Sequence, residues 1–229
     1  MISDSDYNLL IDAGDAVSRA ILSQRISFNS INGILFTHLH PDHFSGFASL
    51  IAQMKMNYRE ETLSIFIHHT LIQSLKDFLK SSYIFMERIG FPIDFIGFDF
   101  KEEVMVTNGF TFRSMQNAHL KEYEKYDSSL SFASGSFLFK SNNKSIYYSG
   151  DISSADDLFL FGAEKIDILV TETTHISFEE ILKVSEQLNP GRILLTHLND
   201  EEILKLQSGI KSSGTNNIEI VEDGSLFSI

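Results

Sequence analysis

The stretch Thr37-His38-Leu39-His40-Pro41-Asp42-His43 sets three histidines and one aspartate within six positions, directly after the apolar run Ile34-Leu35-Phe36. That run reads as a buried strand, so the polar groups fall in the loop at its C-terminal end. Imidazole nitrogen and carboxylate oxygen are the donors that borderline divalent metals take. In such a loop His38 and His40 can turn toward one point while Asp42 and His43 turn toward a neighbouring one. A histidine-rich surface turn is the bland alternative. The strand directly before the cluster favours a metal site.

Two metals need more than four protein groups, and further donors should also end strands. His119 follows Thr111–Gln116, Asp151 follows Ser145–Gly150, and His197 follows Arg192–Thr196. Each is a polar residue closing an apolar run, where α/β-type folds place their chemistry. Singly, each has a plain alternative. His119 and His197 could be hydrogen-bonded core histidines, and Asp151 could cap the helix after it.

The ordered set Asp12 (in Leu10-Ile11-Asp12-Ala13-Gly14), His38-x-His40-x-Asp42-His43, His119, Asp151 and His197 resembles the metallo-β-lactamase-fold hydrolase superfamily, over nearly the whole chain. The resemblance implies a four-layer αββα sandwich with the metals at one edge of two sheets. By position, it implies His38, His40 and His119 on one metal and Asp42, His43 and His197 on the second, with Asp151 bridging them. Asp12 would then orient the first cluster through hydrogen bonds, although an aspartate between strand and helix is also a good N-cap. The implied cofactor is two divalent ions, zinc first, manganese or iron next. Such a pair lowers the pKa of a bridging water toward neutrality and polarises the substrate oxygen. Hydrolysis without a covalent intermediate follows, with Asp42 a candidate proton acceptor.

The bond cut is read from Asp167–Ser177. His175 precedes His197 by a helix and a strand, similar to the ribonuclease Z branch, where such a histidine can protonate the leaving oxygen. The resemblance gives His175 that role, oriented by Glu172; a histidine suits it because its pKa lies near working pH. Ser177 with Glu180 is also a capping-box pattern, so His175 could merely precede a cap. The glyoxalase-II-like thioesterases share every ligand type and stand second, with lactonases behind them. The absence of cysteine disfavours the commonest zinc β-lactamases, and His40 stands where the diiron branch needs a carboxylate.

Charge narrows the substrate. The chain carries 18 Lys+Arg against 31 Asp+Glu, a net −13, which opposes binding to a polyanion that needs basic surface. The interval between His119 and Asp151 leaves little room for an RNA-gripping arm, and Lys121 and Lys125 alternate with acids. A small phosphodiester or cyclic nucleotide is the expected partner, not nucleic acid.

One domain over 1–229 is expected, cytoplasmic, with no membrane span and no signal-peptide form. Helices are expected near 15–24, 46–57, 70–81, 177–188 and 200–208. Strands are expected near 31–37, 63–68, 94–100, 110–116, 130–139, 144–149, 166–171, 191–196 and 217–221. Relative to the superfamily the N-terminus is short. Met1-Ile2-Ser3 supplies only the end of a strand that turns through Asp4-Ser5-Asp6 into Tyr7–Ile11, either because the fold begins short or because the start is assigned too late. A truncated, non-catalytic paralogue kept for binding or assembly is the alternative from outside enzymology; the intact ligand set weighs against it. His68-His69 ends an apolar strand and precedes a helix, and reads as a helix-entry or partly buried pair in preference to a substrate contact. The aromatic segment 83–98 is core, a lid, or the contact of a homodimer.

Overall fold

A computed structural model describes every residue except Ala163, Asn199 and Ile229. The chain forms two compact units, residues 1–99 and 100–229, each built on its own sheet.

The first unit holds β1 (Ile2–Asp4), β2 (Tyr7–Ile11), α1 (Val17–Ser23), β3 (Gly33–Leu35), α2 (Pro41–Phe44), α3 (Phe47–Met56), β4 (Leu63–His68), α4 (Ile72–Ser81), α5 (Met86–Ile89) and β5 (Ile93–Phe98). Its sheet runs β1-β2-β3-β4-β5. β1 turns through Ser5-Asp6 into β2 as an antiparallel edge pair, and β2 to β5 are parallel. Parallel strands are covered on both faces and read as continuous apolar runs; Ile34, Leu35, Ile65 and Ile67 are fully buried. α3 buries Phe47, Leu50, Ile51 and Met54, the i, i+3, i+4, i+7 stripe of an amphipathic helix. The register aligns Ile11, Leu35, Phe66 and Ile96 across the sheet. Residues just after these four therefore emerge along one sheet edge.

The second unit holds β6 (Glu103–Thr107), β7 (Phe110–Gln116), β8 (Gly135–Ser141), β9 (Lys144–Tyr148), β10 (Ile168–Glu172), α6 (Phe178–Leu188), β11 (Arg192–Thr196), α7 (Asp200–Ser213) and β12 (Ile218–Ile220). Its sheet runs β12-β11-β10-β9-β8-β7-β6. β6 to β9 are consecutive antiparallel hairpins, and β9 to β12 are parallel. Leu138, Tyr147, Leu169, Ile181, Val184, Ile193 and Leu195 make its core.

Most expected elements lie where the sequence puts them, and four points differ. β6 was not expected, although Asn108-Gly109 before Phe110 is a hairpin signal. The strand expected over 130–139 starts at Gly135, because its partner β7 ends at Gln116, paired with Gly135. Asp42 and His43 lie in the short helix α2, where a loop was expected; Pro41 at its first position sets the helical φ. α5 is a single turn inside the aromatic segment, which divides between core and surface. Ile89, Phe91 and Phe98 are buried, whereas Tyr83, Phe85 and Met86 are exposed, and Tyr83 and Phe85 line a cavity of about 370 Å³. Among the described residues, no helix is long and apolar enough to cross a membrane.

Candidate metal centre

In the first unit the donors are arranged around one carboxylate. Asp12 follows β2 in the left-handed region, with φ +59°, and its backbone N–H donates to Leu35 O at 2.8 Å. Its Oδ1 accepts from the Thr37 backbone N–H at 2.8 Å. Its Oδ2 accepts from the Thr37 hydroxyl at 2.9 Å and lies 2.7 Å from His43 Nδ1. The N-cap of α1 is Ala16, so Asp12 does not serve as that cap. Gly14 makes this packing feasible, because a Cβ there would sit 1.8 Å from the Asp42 carbonyl oxygen.

Proton placement follows from these bonds. The single hydroxyl proton of Thr37 goes to Asp12, so Thr37 Oγ1 must accept from His38 Nδ1–H across their 2.9 Å contact. His43 likewise gives its Nδ1–H to Asp12. Both rings therefore present the Nε2 lone pair, the tautomer a metal ligand needs, each fixed by a hydrogen bond on its other nitrogen. His38 is fully buried, and its ring centroid lies 4.7 Å from that of His40 and 4.1 Å from that of His43. The Asp42 carboxylate is 3.5 Å from His43 Nε2. Burial pushes the Asp12 carboxyl above its ordinary range, and the hydrogen bonds from His43 and Thr37 work against that.

In the second unit the donors come from separate strand ends. His119 follows β7, Asp151 follows β9 and His197 follows β11. Asp151 stands between the two histidines: one carboxylate oxygen lies 3.8 Å from His119 Nε2, and the other 3.7 Å from His197 Nδ1. The two oxygens of this one carboxylate thus face different histidines. Two buried residues that the sequence reading passed over hold these loops together. Asn117 gives its amide to Asp151 O at 2.9 Å and accepts from the His119 backbone N–H at 3.3 Å. Asp157 accepts from Ala118 N at 3.1 Å and Ser153 N at 2.8 Å. Asn117 stands two residues before His119, but a lone asparagine carries no signal of this role.

His175 and Glu172 also meet. Glu172 is 2% exposed, and its Oε1 lies 2.6 Å from His175 Nδ1. Its Oε2 accepts from the backbone N–H groups of Thr174 and His175. The His175 ring reaches to 5.4 Å from the His119 ring. Ser177 and Glu180 form a full capping box on α6, so the cap and the carboxylate-held histidine coexist. A cavity of about 420 Å³ opens here, lined by His119, His175, Lys121, Glu122, Tyr123 and Ser153 among others. Lys121 and Lys125 share a short 3-10 turn with Glu122 and Glu124. Of the two, only Lys121 faces this cavity.

The donor set suits a divalent ion of the zinc class: imidazoles, with the tautomers of His38 and His43 fixed by hydrogen bonds, and carboxylates. The chain is similar to ribonuclease Z of Saccharolobus islandicus, 36% identical over 97 residues, covering 42% of this chain and 32% of that protein. The match thus spans about a third of the length of these curated relatives. Among solved structures it is similar to the metallo-β-lactamase fold protein YhfI from Bacillus subtilis, with a TM-score of 0.75 and 19% identity over 97% of this chain and 88% of that one. The short form of human tRNase Z follows, with a TM-score of 0.70 and 15% identity over 100% and 90% of the two chains. The fold is that of the metallo-β-lactamase proteins. Within it, residues 1–227 match the family described as Anti-Pycsar protein Apyc1, and the chain belongs to that family.

Proposed function

We propose that this chain is a metal-dependent phosphodiesterase acting on a small phosphodiester or cyclic nucleotide. His38, His40 and His119 would hold one ion, Asp42, His43 and His197 would hold a second, and Asp151 would be shared. The observation that carries the reading is Asp151, with one carboxylate oxygen toward His119 and the other toward His197. When bound, two such ions supply Lewis acidity and a water that ionises near neutral pH.

The chain's own residues do the rest. Asp12 holds the His43 ring in place and ties it to the His38 loop. Glu172 accepts the Nδ1 proton of His175, which leaves Nε2 to carry a proton to the leaving oxygen as the phosphorus–oxygen bond breaks. Asp42, more exposed than His43, His119, Asp151 and His197, would accept a proton from the attacking water. A cavity of about 420 Å³ beside His119 and His175 is within the range of small-molecule sites, roughly 300–1,000 Å³. The net charge of −13 disfavours a long polyanion. Similarity to ribonuclease Z and tRNase Z supports a phosphoester over a thioester.

Hydrolysis of bis(p-nitrophenyl) phosphate, after loading with zinc, manganese or iron(II), tests this beside an Asp151→Ala variant. Turnover lost in the variant supports the reading and makes cyclic nucleotides the next substrates. Two bound metals without turnover would move the assignment to thioesters or lactones. Neither metal nor turnover would leave the non-catalytic paralogue.

A further inference from the structure

We propose that His68, His69 and Asp99 form an auxiliary site for a borderline divalent cation, zinc first, separate from the ligands described above. His68 ends β4 and pairs across the sheet with Phe98, the last residue of β5; Asp99 follows immediately. The register thus delivers two imidazoles and a carboxylate to one point on the sheet edge. One donor atom from each residue lies within 4.8 Å of those of the other two. His69 Nδ1 is 2.6 Å from Asp99 Oδ1, and His68 Nε2 is 3.8 Å from the same oxygen. The His68 ring is turned by its other nitrogen, which lies 2.9 Å from the Thr70 hydroxyl. The two rings sit 4.7 Å apart with a tilt of 31°.

Gly97 makes the convergence feasible. A Cβ at 97 would stand 2.9 Å from Ile72 Cδ1 and 3.2 Å from His69 Cβ, and would press His69 away from Asp99. Two imidazole nitrogens and one carboxylate are a zinc set that leaves a position for water or a substrate oxygen. Calcium and magnesium prefer oxygen-only surroundings. His69 and Asp99 are both more than half exposed, so an ion can reach them. The competing account is a surface ion pair between His69 and Asp99, which contributes little to stability.

Zinc bound per chain after equilibrium dialysis, with calorimetric titration of the metal-free protein, tests the proposal on the full chain. Wild type should bind one equivalent more than His69→Ala and Asp99→Asn, with the other equivalents retained. That extra equivalent should weaken by at least tenfold in each variant. Unchanged stoichiometry and affinity in both variants would reduce the cluster to an ion pair. If either variant folds poorly, nitrogen-15 imidazole spectra of wild type decide. Zinc should move the His68 and His69 ring resonances in an Asp151→Ala background, and unmoved resonances would overturn the site. Neither readout depends on catalysis, so failure here is distinguishable from failure of the phosphodiesterase reading.

Discussion

The first unit places four candidate ligands in the six positions 38–43 after a single strand, whereas the second spreads His119, Asp151 and His197 over three separate strand ends. Their supports differ in the same way. In the first unit one carboxylate, Asp12, holds Thr37 twice and His43 once. In the second the work is divided: Asn117 and Asp157 both tie the His119 loop to the Asp151–Ser153 loop, and Glu172 holds the His175 loop. A clustered set can be aligned by one residue and lost with it. A dispersed set needs several anchors and degrades in steps. The proton transfer proposed for the leaving group also belongs to the second unit, through His175.

The largest expected effect tests that last assignment. His175→Ala should lower kcat by roughly 10²–10⁴-fold, the usual contribution of a general acid, with metal content unchanged. The loss should be greater for a phosphodiester with an alkyl leaving group than for bis(p-nitrophenyl) phosphate, because nitrophenolate leaves without a proton. Equal losses on both substrates would show that His175 positions the substrate instead of protonating it. Glu172→Gln should follow the same pattern with a smaller loss.

Arg59 tests the first unit through its fold. It is 3% exposed, and its guanidinium donates to the carbonyls of Glu61, Ile31 and Thr62 at 2.8–2.9 Å. It also packs over the Phe91 ring at 5.5 Å. Ile31 leads into β3, so this one side chain braces the strand that presents the histidine loop. Arg59→Ala strands three carbonyls and should cost about 3 kcal/mol in urea unfolding. Arg59→Lys cannot reproduce the planar fork and should recover only part of it. A cost below about 1 kcal/mol would mean that water replaces the guanidinium, and that β3 is braced elsewhere.

Asp12→Asn comes next in size. The amide keeps the shape but cannot accept from Thr37 and His43 on both sides, so the His38 and His43 tautomers lose their common anchor. Metal affinity should fall about 10–100-fold, as for other residues that orient ligands, and competition with a chelator would measure it. Asn117→Ala in the second unit should cost less, because Asp157 still ties the His119 loop to Ser153. Comparable losses in both variants would erase the contrast between one anchor and several.

What the sequence made legible follows the same divide. The clustered histidines, their strand and the capping box of α6 are local patterns, written within a few residues of each other. His119, Asp151 and His197 were readable only because each ends an apolar run. Asn117, Asp157 and Arg59 were not readable, because their roles are contacts made across the fold by residue types common in loops. Thr37 stood in the motif itself, yet its part in fixing the His38 tautomer depends on Asp12, 25 positions away. β6 was a missed local signal, since Asn108-Gly109 announces its hairpin. The late start of β8 was set by the end of its partner, which no property of residues 130–134 reveals.

The smallest effect concerns how the second unit's strands are held at their outer positions. Glu164 accepts from Arg113 on β7 at 2.6 Å and from Lys140 on β8 at 2.9 Å. The bonds from Lys140 and Arg113 hold its carboxyl below the ordinary glutamate range. A carboxylate whose folded pKa is depressed stabilises the protein above its unfolded value, about 4.3. That contribution is lost as the pH falls through the lower folded value. Glu164→Gln should therefore cost about 1 kcal/mol near neutrality, a figure kept small by the partial exposure of all three side chains. The difference from wild type should shrink toward zero as acid titrates the wild-type carboxylate, and high salt should reduce it at pH 7. Unfolding curves across that pH range decide the matter. A difference that persists undiminished in acid would mean that Glu164 contributes through packing, and that β7 and β8 do not depend on its charge.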